Sequence, residues 1–269
     1  MRKKISFLKM IYMLALILFV ASGIIHDVMA SVVYSLGFVL PVGLAICFSK
    51  DSTYTLNEYL SIDKQGIKNT VPLIAPTILI VVAISFITSL VMNRLTGATN
   101  TVDVGDSAVS AVLSFALIPA IMEELLFRYV PIRLLAPYSK RGAVIISAIF
   151  FALIHHNLFV IPYAFIAGVI FIVIDISAKS IIPSIIIHFI NNALSVAIIM
   201  YGDIPFLTLY TYLLLGIISI ISIAIIIKRR SEYKKIILCA LDSGEKVKIP
   251  YEMFVFAAFA LMLAFVSLI

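Results

Sequence analysis

The sequence predicts an all-α fold, a polytopic bundle of about eight or nine transmembrane helices, and three observations carry that prediction. Of 269 residues, 63% are apolar and 13% charged, with a mean hydropathy of +1.17, whereas soluble domains are about half apolar and about a quarter charged. The apolar residues fall into blocks about 16 to 27 residues long, close to the roughly 20 that cross a hydrocarbon core. Lys and Arg collect in alternate polar stretches, as they do in the cytoplasmic loops of membrane proteins.

In chain order the expected spans are 10–25, 32–48, 71–93, 108–134, 141–156, 158–177, 180–200, 205–227 and 251–269. The first follows Arg2, Lys3, Lys4 and Lys9 without a clear small-x-small cleavage site behind it, and reads as a retained signal anchor. With the N-terminus inside, the inner segments hold nearly all the basic residues, including Lys228, Arg229, Arg230, Lys234 and Lys235, while the outer segments carry Arg94, Asp103, Asp106 and Asp203. A nine-span chain with its N-terminus in the cytoplasm fits this asymmetry best. The net charge of +6 then reflects topology and contact with an anionic lipid bilayer, and does not indicate nucleic acid. The Ile- and Lys-rich composition points to a bacterial cell membrane. Cys47 and Cys239 both fall at the inner face, where no disulfide is expected. The chain has no HExxH, no Gly-rich phosphate loop, no Cys/His cluster and no internal repeat.

Charge inside an apolar span is costly and marks function. The fourth span, AVLSFALIPAIMEELLFRYV, contains Glu123, Glu124 and Arg128. Residues four apart share a helix face while neighbours differ by about 100°, so Glu124 and Arg128 can pair while Glu123 points elsewhere. An unpaired carboxylate in a poorly solvated place suits a general base. Two other readings fit the same residues: an ion-pair cluster that orients the helix end, and a proton relay of the transporter kind.

Three of the four histidines lie inside expected spans. His155 and His156 end the fifth, with Phe151 one turn before His155, and His188 lies in the seventh with Asn192 four residues on. His26, beside Asp27 at an outer helix end, is assigned no role. At about 1.5 Å per residue, His188 lies roughly 14 Å beyond Lys179, His155 roughly 21 Å beyond Arg141, and Glu123 roughly 15 Å before Arg133. All three reach the middle of the bilayer. Of the adjacent histidines only one can face the glutamates, and His155 is preferred, with His156 bonded to outer-loop backbone. Asp175 and Lys179, four apart, read as an inner-face ion pair, and Ser147 and Ser184 as helix-packing hydroxyls.

These groups suit peptide-bond hydrolysis by activated water. Glu123 would take the proton, His155 would hold the water, and His188 with Asn192 would donate to the developing oxyanion.

The set Glu123-Glu124-x-x-x-Arg128, Phe151-x-x-x-His155 and His188-x-x-x-Asn192 resembles the CPBP intramembrane proteases, which include type II CAAX prenyl endopeptidases and bacteriocin-processing Abi proteins. Relatives often carry paired serines before the motif phenylalanine, where this chain has Ser147-Ala148. The resemblance divides the chain into N-terminal helices (1–106), a protease core (107–200) and C-terminal helices (201–269). It implies an endopeptidase in which Glu123 and His155 activate water, His188 and Asn192 form the oxyanion site, and Arg128 structures the first motif. No cofactor is expected on that reading. Glu123, His155 and His188 are the residues that would hold zinc if the reaction were metal-dependent. The expected substrate is a membrane-associated peptide or protein without a prenyl group. The alternatives are a non-catalytic immunity or scaffold protein of the same fold, and a proton-coupled transporter.

Overall fold

The computed structural model describes residues 2–25, 27–48, 55–61, 107–155, 160–201 and 205–241, together with 77, 81, 83, 84 and 87. Among the described residues the regular structure is entirely helical. The helices are α1 (Arg2–Ile24), α2 (Asp27–Phe48), α3 (Leu56–Tyr59), α4 (Ala108–Leu135), α5 (Lys140–Leu153), α6 (Val160–Ala178), α7 (Ile182–Tyr201), α8 (Pro205–Lys228) and α9 (Arg230–Leu241). Five of them contain segments long and apolar enough to cross a membrane: Lys3–Ser22, Ser31–Phe48, Ala108–Leu135, Val160–Ala178 and Ile182–Tyr201. The expected span 251–269 lies outside the described residues, as does most of 71–93.

Helix α4 is the central mast, against which α1, α2, α5, α6 and α7 all pack. Its first half buries Ala111, Ala116 and Ala120, small residues that let α7 approach closely. From Leu126 to Ala136 every residue is buried. The helix widens to π-turns at Leu113–Leu117 and again at Leu125–Tyr129. Each widening ends two residues before a proline, Pro119 or Pro131. Proline has no N–H and crowds the carbonyl four residues back, so the α-helical ladder cannot run through. The Phe127 carbonyl, four residues before Pro131, accepts instead from the Ser147 hydroxyl of α5.

Helices α5 and α6 form a tight hairpin. A Cβ on Gly168 would stand 2.9 Å from the Ala148 Cα and 3.3 Å from the Phe151 ring, so glycine is what allows α6 to lie on the Phe151 side of α5. Helix α1 docks on this core through Tyr12, which stacks on Phe150 at 4.3 Å and on Phe127 at 5.8 Å.

The structure departs from the sequence expectation in four places. The fifth span is shorter than 141–156: Ser139 caps α5, its hydroxyl accepting from the Gly142 N–H at 3.1 Å, and the helix ends at Leu153 after 14 residues. The stretch 49–70, read as a polar loop, contains α3. A capping box joins Thr55 and Glu58, and the Tyr59 carbonyl accepts from Ile181 N–H at 2.9 Å and Ser180 Oγ at 3.1 Å. The inner stretch 228–250, also read as a loop, contains α9. Tyr233, Ile236 and Leu241 lie on its partly buried side against α5 and α6, while Lys234 and Lys235 are exposed. Finally, Asp175 and Lys179 do not pair. Lys179 takes a left-handed conformation (φ 53°), the Ser180 N–H closes on the Asp175 carbonyl, and α6 stops there. This turns exposed Lys179 away and leaves the Asp175 side chain to Ser184.

Candidate active site

Glu123 and Glu124 sit where α4 begins its second widening, and the two carboxylates meet different surroundings. Glu124 is fully buried, and its Oε2 lies 3.0 Å from Arg128 Nε. The contact is an ion pair without hydrogen-bond alignment. The Arg128 guanidinium is itself fully buried, 3.9 Å from the Phe151 ring centre and 5.1 Å from that of Phe171. Its two terminal nitrogens have no hydrogen-bond partner, and the aromatic faces supply the electrostatic attraction that water would otherwise give. Glu124 Oε1 is 2.7 Å from His188 Nδ1. A carboxylate held by arginine can only accept, so Nδ1–H donates, and that bond orients the His188 ring.

Glu123, one residue earlier, is 12% exposed. Its Oε2 lies 3.8 Å from His188 Nε2, too far for a hydrogen bond, and has no other partner. His188 therefore stands between the two glutamates, bonded to one and spaced from the other. Glu123 also lines a cavity of about 820 Å³, within the usual range for ligand sites. The cavity lies at the end of the bundle that carries the α1–α2 turn. Asn192 lines it from α7, Tyr34 and Ser35 from α2, and Ser114 and Phe115 from α4. Pro119, another lining residue, deprives the Phe115 carbonyl of its helical donor.

His155 lies in the turn just after α5. Its Nδ1 is 2.8 Å from the Phe151 carbonyl, which makes Nδ1 the donor and leaves the Nε2 lone pair free to accept. The Phe151 ring touches both imidazoles edge-on, His155 at 5.1 Å and His188 at 5.6 Å. His155 is within electrostatic reach of Glu123 and His188.

Of the residues expected from sequence, Glu123, Glu124, Arg128, Phe151, His155 and His188 come together, and Asn192 joins Glu123 at the cavity. Asn192 Oδ1 accepts from Asn191 Nδ2 at 3.4 Å, and no side-chain hydrogen bond joins Asn192 to His188. His26 and His156 lie outside the described residues. Sequence reasoning missed Phe171, a phenylalanine in an apolar run with nothing to set it apart. It also missed Tyr34, although Ser31 and Ser35 beside it are a polar cluster in an apolar helix. Among the described residues no three His, Cys, Asp or Glu side chains are grouped to hold a metal ion. His155 and His188 each direct Nδ1 at another partner. Both rings keep Nε2 without a hydrogen bond, the arrangement a metal-ligating histidine also has, and no chemical step below is routed through a metal.

Residues 105–194 match the family model described as type II CAAX prenyl endopeptidase Rce1-like. The matched segment contains every motif position from Glu123 to Asn192, in agreement with the resemblance read from the sequence. No curated protein and no solved structure matches the chain. The family match supports an intramembrane protease of the CAAX type, and with the five apolar helices it supports an integral membrane protein.

Proposed function

We propose that the chain is a glutamate-dependent intramembrane endopeptidase that hydrolyses a peptide bond in a membrane-associated peptide or protein without a prenyl group. One observation carries the reading. Of two adjacent carboxylates, Glu124 is committed to Arg128 and His188, while Glu123 lines a large cavity and has a buried oxygen without a hydrogen-bond partner.

In the proposed reaction, water enters beside Glu123. Glu123 takes its proton while the His155 Nε2 lone pair accepts from the same water and aims it. The hydroxide attacks the substrate carbonyl carbon, and the carbonyl oxygen becomes an oxyanion. Asn192 Nδ2 donates to it from the cavity wall. His188, held through Nδ1 by Glu124, turns Nε2 into the gap beside Glu123, and in the ring form with a hydrogen on Nε2 it donates to the oxyanion from there. Collapse breaks the C–N bond, and Glu123 returns its proton to the leaving amine. Glu124, Arg128 and Phe151 hold the ring that does the donating. By the distribution of basic residues, the N-terminus faces the cytoplasm and the cavity lies in the outer half of the membrane.

The test is cleavage of a panel of fluorogenic membrane peptides by the purified protein, with and without a chelator, compared with Glu123→Ala, His155→Ala and His188→Ala. The proposal expects cleavage by wild type in the presence of chelator, and a loss of at least about 10²-fold in each variant. A wild type that cleaves nothing, or only with zinc, contradicts it.

A further inference from the structure

The cavity beside Glu123 has a polar edge that the mechanism does not use. Helix α2 brings Ser31, Tyr34 and Ser35 to it, residues three and four apart and so on one face of an apolar helix. From Ser114 to Glu123 the cavity follows α4 for nine residues, about 13 Å at 1.5 Å per residue. Tyr34 stands near the level of Glu123. Helices α1 and α4 run antiparallel, because Tyr12 stacks on Phe127 while Ser22, further along α1, shares the cavity with Ser114, further back along α4. Phe19 is seven residues beyond Tyr12, and seven residues back from Phe127 is Ala120, about one turn from Glu123. The Tyr34 ring packs on Phe19 at 5.2 Å and on Phe38 at 5.3 Å. Gly37 permits this packing, since a Cβ there would stand 2.5 Å from the Phe19 ring.

An unwound peptide at membrane depth needs a partner for each N–H and C=O, and the cavity wall offers both kinds. Ser35 Oγ donates to the Ser31 carbonyl at 2.8 Å, and Ser195 Oγ to the Asn191 carbonyl at 3.0 Å. A hydroxyl has one hydrogen, so each of these is left with lone pairs that accept an N–H. Tyr34 supplies a donor. Its hydroxyl stands at the end of a rigid ring, beyond the carbonyls of its own helix.

We propose that the cavity seats its substrate as an extended segment of about four residues, the number that spans 13 Å, and that Tyr34 is the principal anchor of that segment. The Tyr34 hydroxyl donates to a backbone carbonyl flanking the scissile bond, and Ser35 accepts from a neighbouring N–H. The substrate class is then a membrane peptide that unwinds readily, because a helical segment keeps its carbonyls bonded to its own N–H groups. Cleavage of that segment rests on the proposed function; its seat against α2 does not.

The test uses the full chain in lipid nanodiscs and a fluorogenic membrane peptide, made also as a series in which each amide near the scissile bond is replaced in turn by an alkene without a carbonyl. Tyr34→Phe keeps the ring on Phe19 and Phe38 and removes only the hydroxyl. With the all-amide peptide it is expected to raise KM about tenfold, and the Kd from photo-crosslinking titrations equally, as loss of a ground-state hydrogen bond does. Over the same comparison kcat stays within about twofold and the melting midpoint is unchanged. With one alkene peptide the penalty disappears, because the acceptor is already gone. Unchanged KM and Kd in Tyr34→Phe, or the same penalty with every peptide of the series, overturns the inference. A wild type that binds the peptide with this dependence on Tyr34 but cleaves none of it refutes the proposed function alone, and one that binds no peptide overturns both.

Discussion

The two sides of α4 at Glu123 and Glu124 meet opposite surroundings. On the Glu124 side, carboxylate, guanidinium, imidazole and two phenylalanine rings are packed without solvent, and Glu124, Arg128 and His188 are each tied to another member of that group. On the Glu123 side there is a cavity whose apolar wall carries hydroxyls and an amide. Adjacent residues on a helix point about 100° apart, and that rotation separates a carboxylate that holds the fold from one that is available for chemistry. The dry side costs stability to build and repays it by fixing His188, while the wet side leaves room for water and a peptide.

The comparison breaks most visibly at Arg128. Arg128→Met removes the guanidinium from Glu124 in a dry core and leaves His188 as its one side-chain partner among the described residues, and is expected to destabilise the protein by about 3–5 kcal/mol, read as a lower thermal midpoint in detergent. Next is Asn192→Ala on the wet side. It is expected to lower kcat by about 10²–10³-fold, the cost of one oxyanion donor, with an unchanged melting midpoint. The reverse pattern in this pair of variants would mean the two sides have been assigned the wrong way round. Ser147→Ala is smaller and belongs to the dry side. It leaves the Phe127 carbonyl beside Pro131 without its donor and is expected to cost about 1–3 kcal/mol, with substrate binding unaltered.

The smallest effect lies outside the membrane. The Thr55 backbone N–H and hydroxyl donate to Glu58 and hold its carboxyl below the ordinary carboxylate range. A lowered folded value stabilises α3 above the unfolded value, and that contribution is lost as pH falls through the lowered one. Acidification should therefore speed hydrogen exchange at the Ile181 N–H, which α3 protects through the Tyr59 carbonyl. Glu58→Gln should abolish the acid dependence.

The membrane class and the motif residues were legible in the sequence because each rests on local spacing. Hydropathy blocks gave α1, α2, α4, α6 and α7. The four-residue intervals put Glu124 on Arg128 and the Phe151 ring beside His155. What could not be read depends on neighbours distant in sequence. Asp175 and Lys179 have the spacing of an ion pair, yet a left-handed Lys179 ends the helix and Asp175 bonds across the turn to Ser184. Glu123, His155 and His188 were expected to meet at mid-bilayer, but the hold of Glu124 on the His188 ring follows only from the packing of α7 on α4. Helix α9 was hidden by its lysines. Its apolar positions Tyr233, Ile236 and Leu241 recur at helical intervals, but the net composition of 228–250 reads as an aqueous loop.

The central claim is that Glu123, and not Glu124, is the base. Single-turnover cleavage of a membrane peptide by Glu123→Gln and by Glu124→Gln, each checked for its melting midpoint, tests it most directly. The account predicts that Glu123→Gln melts like wild type and cleaves at least about 10²-fold more slowly, whereas Glu124→Gln shows its main loss in stability. Cleavage by Glu123→Gln at the wild-type rate would contradict it.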